Sequence, residues 1–298
     1  QHKKNNPDEG MGIQTGFSFL DFSNNGFKGS DLFVVGGDTG AGKSVFLNSA
    51  ACHMWMGENR LDTVTEDFKP GKNIIYFSLE MPYDNCFNRF LSLISGVPYL
   101  KIDAATLNRE EFARVKLALD FIKRYPYHFE IVDISLASAN DLEVLILDIK
   151  DRFAVDAVIV DYLGLMRLNL GDVSEMSDHQ KFSECTAELR MVGRKLFLPI
   201  FTAAQLNRPP GGADRKAVGN SSVGFNRVAR GYAALTHVTT YIQLDSSPDA
   251  APDTHYHILK NRNGMKGKAQ LLKNLACSQF IDVPVEIDEN FKVVDQED

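Results

Sequence analysis

The stretch Gly36-Gly37-Asp38-Thr39-Gly40-Ala41-Gly42-Lys43-Ser44 is where residue types and spacing first point to a chemistry. It follows the apolar run Leu32, Phe33, Val34, Val35 and precedes a segment, 45–55, that reads as a helix. Strand, Gly-rich loop and helix in that order are the context a phosphate-binding loop requires. The glycines let the backbone bend around an oligophosphate, turn successive N–H groups inward and set the phosphates at the positive end of the helix. In this reading Gly37, Asp38, Thr39, Gly40, Ala41 and Gly42 form the cradle, Lys43 reaches the terminal phosphates and Ser44 holds Mg²⁺.

Hydrolysis of a nucleoside triphosphate also needs a metal-site acid, a base that orients water and a cation for the transition-state charge. Val158-Ile159-Val160-Asp161 ends a buried strand in a carboxylate that can hold a water on Mg²⁺, or else cap a turn. Glu80, at the tip of a strand over 73–79, can polarise the attacking water if that strand lies beside the phosphate loop; a solvated strand-end acid is the plainer alternative. Gln205 follows a fifth strand, where it can touch the γ-phosphate or serve as a turn residue. Lys260 and Arg262 alternate on a strand end and face one side. They read either as solvated edge charges or as a finger reaching a neighbouring subunit's nucleotide, which requires an oligomer. His255 and His257 also share a face, with no third metal ligand evident in the sequence.

The elements that must position these residues alternate regularly. Helices are expected over about 82–95, 107–123, 138–153 and 177–196, and strands over 73–79, 129–132, 157–160 and 199–203. Short uninterrupted apolar strands between helices indicate a parallel sheet covered on both faces. Residues 57–72 are hydrophilic and irregular, and 15–21 read as a short helix or turn before the turn signal Asn24-Asn25-Gly26. Residues 207–226 are rich in Pro, Gly, Asn and Ser and read as a functional loop. Beyond it, 238–244 and 256–260 suggest a hairpin, and 269–272, 280–285 and 291–294 suggest edge strands, so antiparallel pairing is expected toward the C-terminus.

With 298 residues, 44% of them hydrophobic, the chain can fill a core, and its apolar runs are strand-sized with no leader-like or membrane-spanning segment. A cytoplasmic protein without membrane partners is expected. Cys52, Cys86, Cys185 and Cys277 lie far apart and read as reduced and buried. The net charge of −7 argues against nucleic acid wrapped over the whole surface, yet not against a local basic channel. Within 205–231, Arg208, Arg215, Lys216, Arg227 and Arg230 face Asp214 alone, and Lys260, Arg262, Lys266, Lys268 and Lys273 occur without an acid between them.

The segments GDTGAGKS (37–44), FSLEMP (77–82), VIVDYLGLM (158–166), AAQLNR (203–208) and KNRNG (260–264) occur in that order. With them the sequence resembles the ATPase domain of DnaB-type replicative helicases over about 15–273. The resemblance implies a RecA-like α/β domain at 14–298 behind a polar linker or tail at 1–13. It implies Lys43 and Ser44 as ligands of ATP and Mg²⁺, Glu80 as catalytic glutamate, Asp161 as second metal-site acid and Gln205 as γ-phosphate sensor. Lys260 and Arg262 match the basic pair that enters the next subunit's site. The resemblance further implies a homo-oligomer, a six-membered ring around single-stranded DNA moving 5′ to 3′, with primase and a helicase loader as partners. Where family members carry Arg-Glu-Ser-Gly in the DNA-facing loop, this chain reads Val228-Ala229-Arg230-Gly231, which leaves Arg208, Arg215, Lys216, Arg227 and Arg230 as candidate DNA contacts. The family's N-terminal helical domain has no counterpart here, as expected of a trimmed chain or a compact phage-like relative. Two other readings stay open: a RecA-like repair or recombination ATPase without processive unwinding, and a P-loop switch that binds a protein partner.

Overall fold

Strand β1 (Leu32–Gly37) is buried at every residue, as an unbroken apolar run must be when both faces of its sheet are covered. In this computed structural model residues 11–169, 176–205, 235–245, 252–262 and 264–285 are described. A short helix α1 (Ser18–Asn24) precedes β1, and residues 12 and 13 lie against the turn that follows it, with Ile13 N–H donating to Phe27 O at 2.7 Å. After β1 come α2 (Lys43–Met56), β2 (Ile74–Ser78), α3 (Tyr83–Ser95), α4 (Tyr99–Asp103), α5 (Arg109–Arg124), β3 (Phe129–Asp133), α6 (Ala139–Lys150) and β4 (Ala157–Asp161). Then follow α7 (Asp178–Leu196), β5 (Ile200–Gln205), β6 (Thr240–Leu244), β7 (Asp253–Asn261), β8 (Gly267–Asn274) and β9 (Gln279–Asp282).

Among the described residues the strands make one nine-stranded sheet in the order β3-β2-β4-β5-β1-β6-β7-β8-β9. The pairs from β3 to β6 are parallel, and those from β6 to β9 are antiparallel. The expected α/β class, with antiparallel strands at its C-terminal end, is therefore what the chain adopts. Alternate strand residues enter two separate cores. Phe33, Val35, Tyr76, Ile159 and Phe201 pack with Phe46, Trp55, Phe90 and Phe121 from α2, α3 and α5. Leu32, Val34, Phe77, Val160 and Ile200 pack with Leu142, Ile146, Leu189 and Val192 from α6 and α7.

The helices begin where the sequence supplies caps. Asn108 and Glu111 form a reciprocal capping box at α5, as Ser138 and Asp141 do at α6 and Ser177 and Gln180 at α7. Several expected boundaries move. Pro82 is the residue before α3, not inside it, and α4 was not anticipated because Pro98 and a five-residue length leave little period to read. The strand expected over 280–285 is the shorter β9, while 291–294 and the loop at 207–226 lie outside the described residues. Strand β7 lies inside the sheet between β6 and β8, which removes the edge-strand reading of Lys260. All four cysteines are free and buried.

Candidate active site

A parallel sheet gathers the ends of its strands on one edge, and that edge is where the chemistry-bearing residues meet. β1 runs into the loop at 38–42, and α2 starts at Lys43 with Gly42 in the left-handed region at φ 91°. Lys43 Nζ donates to the carbonyls of Gly37 (3.1 Å) and Asp38 (2.9 Å), bracing the loop across its base. Burial lowers the affinity of its ammonium for the proton, against the opposing charges of Asp161, Asp38 and Glu80.

Ser44 Oγ donates to Asp161 Oδ1 at 3.1 Å, closing a gap of 117 residues in the chain. Asp161 ends β4, is only 2% exposed, and also accepts a hydrogen bond from the Tyr76 hydroxyl at 2.8 Å on Oδ2. Burial raises its carboxyl above the usual range, the hydrogen bonds from Tyr76 and Ser44 oppose that rise, and the charge of Glu80 adds to it. A buried carboxylate beside a hydroxyl is an all-oxygen donor set of the kind Mg²⁺ takes when substrate phosphates and water complete its shell. Among the described residues no cluster of three or more His, Cys, Asp or Glu is placed to hold a metal unaided.

Glu80 reaches this edge by a different route from the one its sequence position suggested. β2 is not a neighbour of β1, since β5 and β4 stand between them. Instead β2 pairs with β4, Ser78 opposite Asp161, and Leu79 N–H donates to Asp161 O at 2.8 Å. Glu80 is thus exposed one residue beyond, close enough that its charge acts on Lys43, Asp161 and Tyr162. Gln205 is the last residue of β5 and not a residue after it. It lies opposite Gly37, with its Nε2 donating to Thr39 Oγ1 at 2.8 Å. The loop, Ser44 with Asp161, Glu80 and Gln205 therefore share one edge of the sheet.

The basic pair lies elsewhere. Lys260 pairs with Tyr241 and Tyr241 with Val34, so Lys260 sits level with a residue three positions before Gly37, roughly 10 Å back along the strands. The β6-β7 register shifts between Tyr241 and Ile242. Lys260 is buried, not a solvated charge, and donates to Leu235 O, while Arg262 is exposed and donates to Thr236 O at 2.5 Å. Both cations converge on one short segment, and Arg190 of α7 joins them by donating to Thr239 Oγ1. Burial, followed by the charges of Arg262 and Arg190, brings Lys260 down to about 8. The register holds this cluster at the end of the sheet away from the chain's own Gly-rich loop at 38–42.

Residues 12–282 match the family described as the DnaB-like helicase C-terminal domain. The chain belongs to that family. It is 24% identical over 271 residues to the replicative DNA helicase DnaB of Treponema pallidum (strain Nichols), covering 91% of this chain and 56% of the relative. It is 23% identical over 288 residues to DnaB of Geobacillus stearothermophilus, covering 96% and 60%. The match to DnaB of Rickettsia typhi (strain ATCC VR-144 / Wilmington) is 28% over 206 residues, covering 69% and 40%. The chain thus spans about half the length of these relatives. Its fold is that of the ATPase domain of G40P, with a TM-score of 0.77 at 18% identity, covering 95% of this chain and 96% of that one. A DnaB-like replicative helicase studied with its primase interactions superposes equally well, at 0.77 and 18%, over 95% and 66% of the two chains. The RecA-like layout expected of the DnaB-like domain is the one present.

Three features of the site escaped the sequence. Tyr76 falls inside the strand expected over 73–79, and a hydroxyl inside a buried run is itself a signal that a partner waits. Asp245 lies 3.2 Å from His257 Nε2 and 3.9 Å from His255 Nδ1, a pairing that only the β6-β7 register discloses. Phe280 packs over α2, its N–H donating to Ser49 Oγ at 3.0 Å. Arg208, Arg215, Lys216, Arg227 and Arg230 lie outside the described residues.

Proposed function

We propose that this chain is the ATP-hydrolysing motor of a replicative DNA helicase, acting in the cytoplasm as a ring of identical subunits that moves along single-stranded DNA. The observation that carries this reading is the Ser44–Asp161 hydrogen bond, which joins the loop to the end of β4 and makes an oxygen-donor site where terminal phosphates would lie. Lys43 binds and orients the β- and γ-phosphates, and Gly37 to Gly42 offer backbone N–H groups to them. Mg²⁺, held by Ser44 and Asp161, would neutralise charge on the phosphate oxygens. Glu80, exposed beside this pair, orients the attacking water as general base, and Gln205 links the γ-phosphate to Thr39 and to the segment after β5.

Lys260 and Arg262 complete the site of an adjacent copy, a role supported by their distance from the chain's own loop. Family membership supports the ring, of six copies, and supports unwinding in the 5′ to 3′ direction with primase and a helicase loader as partners. Arg208, Arg215, Lys216, Arg227 and Arg230 contact DNA phosphates without reading sequence.

A fork-unwinding assay with ATP, beside mass measurements with and without nucleotide, tests the reading. Unwinding by an oligomer, lost in Lys43→Ala, is the expected result. ATPase activity without unwinding would point to a repair-type ATPase, and ATPase activity indifferent to single strands to a protein-binding switch. Single-strand affinity is expected to fall steeply with salt. Mixing Arg262→Ala with Glu80→Gln subunits is expected to restore part of the ATPase activity, and no recovery at any ratio counts against sharing of the site between subunits.

A further inference from the structure

Asp161 is addressed from two sides, and only one of them belongs to the phosphate loop. Ser44 takes Oδ1, and Tyr76 takes Oδ2. Tyr76 lies in β2 opposite Ile159 of β4, so Asp161, two residues on, projects from the same face of the adjoining strand within reach of an aromatic side chain. The ring of Tyr76 is held by stacking: it lies 6.2 Å from Phe129 at 22°, and Phe129 in turn lies 4.2 Å from Phe90 at 27°. For that packing a phenylalanine would serve equally. What the tyrosine adds is one hydroxyl, 3% exposed as a residue and aimed at the carboxylate.

We propose that Tyr76 is the positioning residue of the metal site, its hydroxyl fixing the Asp161 carboxylate so that Oδ1 stays turned toward Ser44. The inference rests on the reading of Ser44 and Asp161 as the Mg²⁺ site. A carboxylate bound through one oxygen alone can turn about its terminal torsion, which is broad. Held at both oxygens, it presents a fixed edge, as hydrogen-bonded outer partners do for ligands in other metal sites. Tyr76 touches neither nucleotide nor metal in this scheme and acts through Asp161.

The test uses the full chain and a fluorescent ATP analogue at fixed concentration, titrated with Mg²⁺ and read as binding, with thermal unfolding followed in parallel. Tyr76→Phe is expected to raise the half-saturating Mg²⁺ concentration about tenfold while leaving saturated binding and the unfolding midpoint in place. Asp161→Asn is expected to raise it further. If Asp161→Asn shifts the Mg²⁺ curve and Tyr76→Phe does not, Tyr76 is a core residue and the proposal is wrong. Failure of Tyr76→Phe to fold overturns it as well, since the hydroxyl would then be serving the core. If neither variant shifts the curve, the metal-site reading itself is at fault.

Discussion

Exchanging Gly42 for alanine asks how the phosphate loop is held from behind. Gly42 has φ +91°, and a Cβ added there would fall 2.7 Å from Phe280 Cζ and 2.9 Å from its Cε2. Gly40 has φ +80° but nothing within 4 Å of its added Cβ, so it serves as the internal reference. Gly40→Ala meets the left-handed backbone cost of about 1–2 kcal/mol, offset by about 0.4–1 kcal/mol from the stiffer unfolded chain, for a net loss of about 1 kcal/mol. Gly42→Ala carries the same cost plus overpacking of about 1–3 kcal/mol, which gives a loss of about 2–4 kcal/mol. Phe280 has little room to withdraw: it is fully buried, its ring lies 6.5 Å from that of Phe46, and its N–H is tied to Ser49. The strain therefore passes to the loop. Urea denaturation of both single variants, of Phe280→Leu, and of Gly42→Ala with Phe280→Leu would measure it. The double variant is expected to be less destabilised than the sum by about 1 kcal/mol, because residues in contact do not add. Equal losses at positions 40 and 42, or strict additivity with Phe280→Leu, would refute a clamp of β9 on the loop.

Asp21 is expected to give stability a slope in mild acid. Burial, only partly opposed by hydrogen bonds from Thr15 and Gly16, raises its carboxyl to about 6 from 3.8. The folded chain therefore holds the proton more tightly than the unfolded one. That contribution is full below about pH 4, is lost as pH rises to about 6, and amounts to at most about 3 kcal/mol. Stability of Asp21→Asn relative to the parent should change across that window and level off above it, which denaturant midpoints from pH 4 to pH 8 would reveal. Lys260, brought down to about 8 by burial and its arginine neighbours, should impose an alkaline limb on the ATPase rate near that pH. Lys260→Arg should carry the limb upward, and an unmoved limb would assign it to another group. Asn108→Ala removes the side chain that accepts from Glu111 N–H at 2.9 Å and should cost about 1 kcal/mol of stability by chemical denaturation, with ATPase activity unchanged because α5 lies away from the site.

What could be read from the sequence was whatever local patterning specifies. The loop at 36–44 declares itself because few chemistries need glycines, lysine and serine at that spacing, and Asp161 because a carboxylate closing a buried apolar run has few structural reasons to be there. The placement of Glu80 and Gln205 was only partly legible. The sequence put each at a strand end, yet it cannot say that β2 neighbours β4 and not β1, or that Gln205 pairs with Gly37; strand order is a tertiary property. Lys260 shows the limit most plainly. Alternation allows a solvated edge charge or a finger, and it cannot show that β7 lies inside the sheet or that Lys260 is buried, which removes only the solvated edge charge. Tyr76 and Phe280 were illegible for a related reason: each acts on a residue more than eighty positions away, through packing that no spacing rule encodes.

The separation of loop and cations also limits how copies of the chain can associate. If the cluster of Lys260, Arg262 and Arg190 meets another copy's phosphates, a patch at one end of the sheet contacts a different patch at the other. Such a contact is heterologous, and repeating it yields a closed ring or an open filament, never a two-fold dimer with both sites satisfied by the same face. Lys43 and Arg262 then belong to one site only when they come from different chains. A subunit that binds nucleotide alone should hydrolyse it slowly, and the rate per subunit should climb with concentration until the assembly closes. Rates independent of concentration down to the monomer, measured beside sedimentation of the same samples, would show that each chain carries its own transition-state cation and that the cluster around Leu235 and Thr236 serves the fold instead.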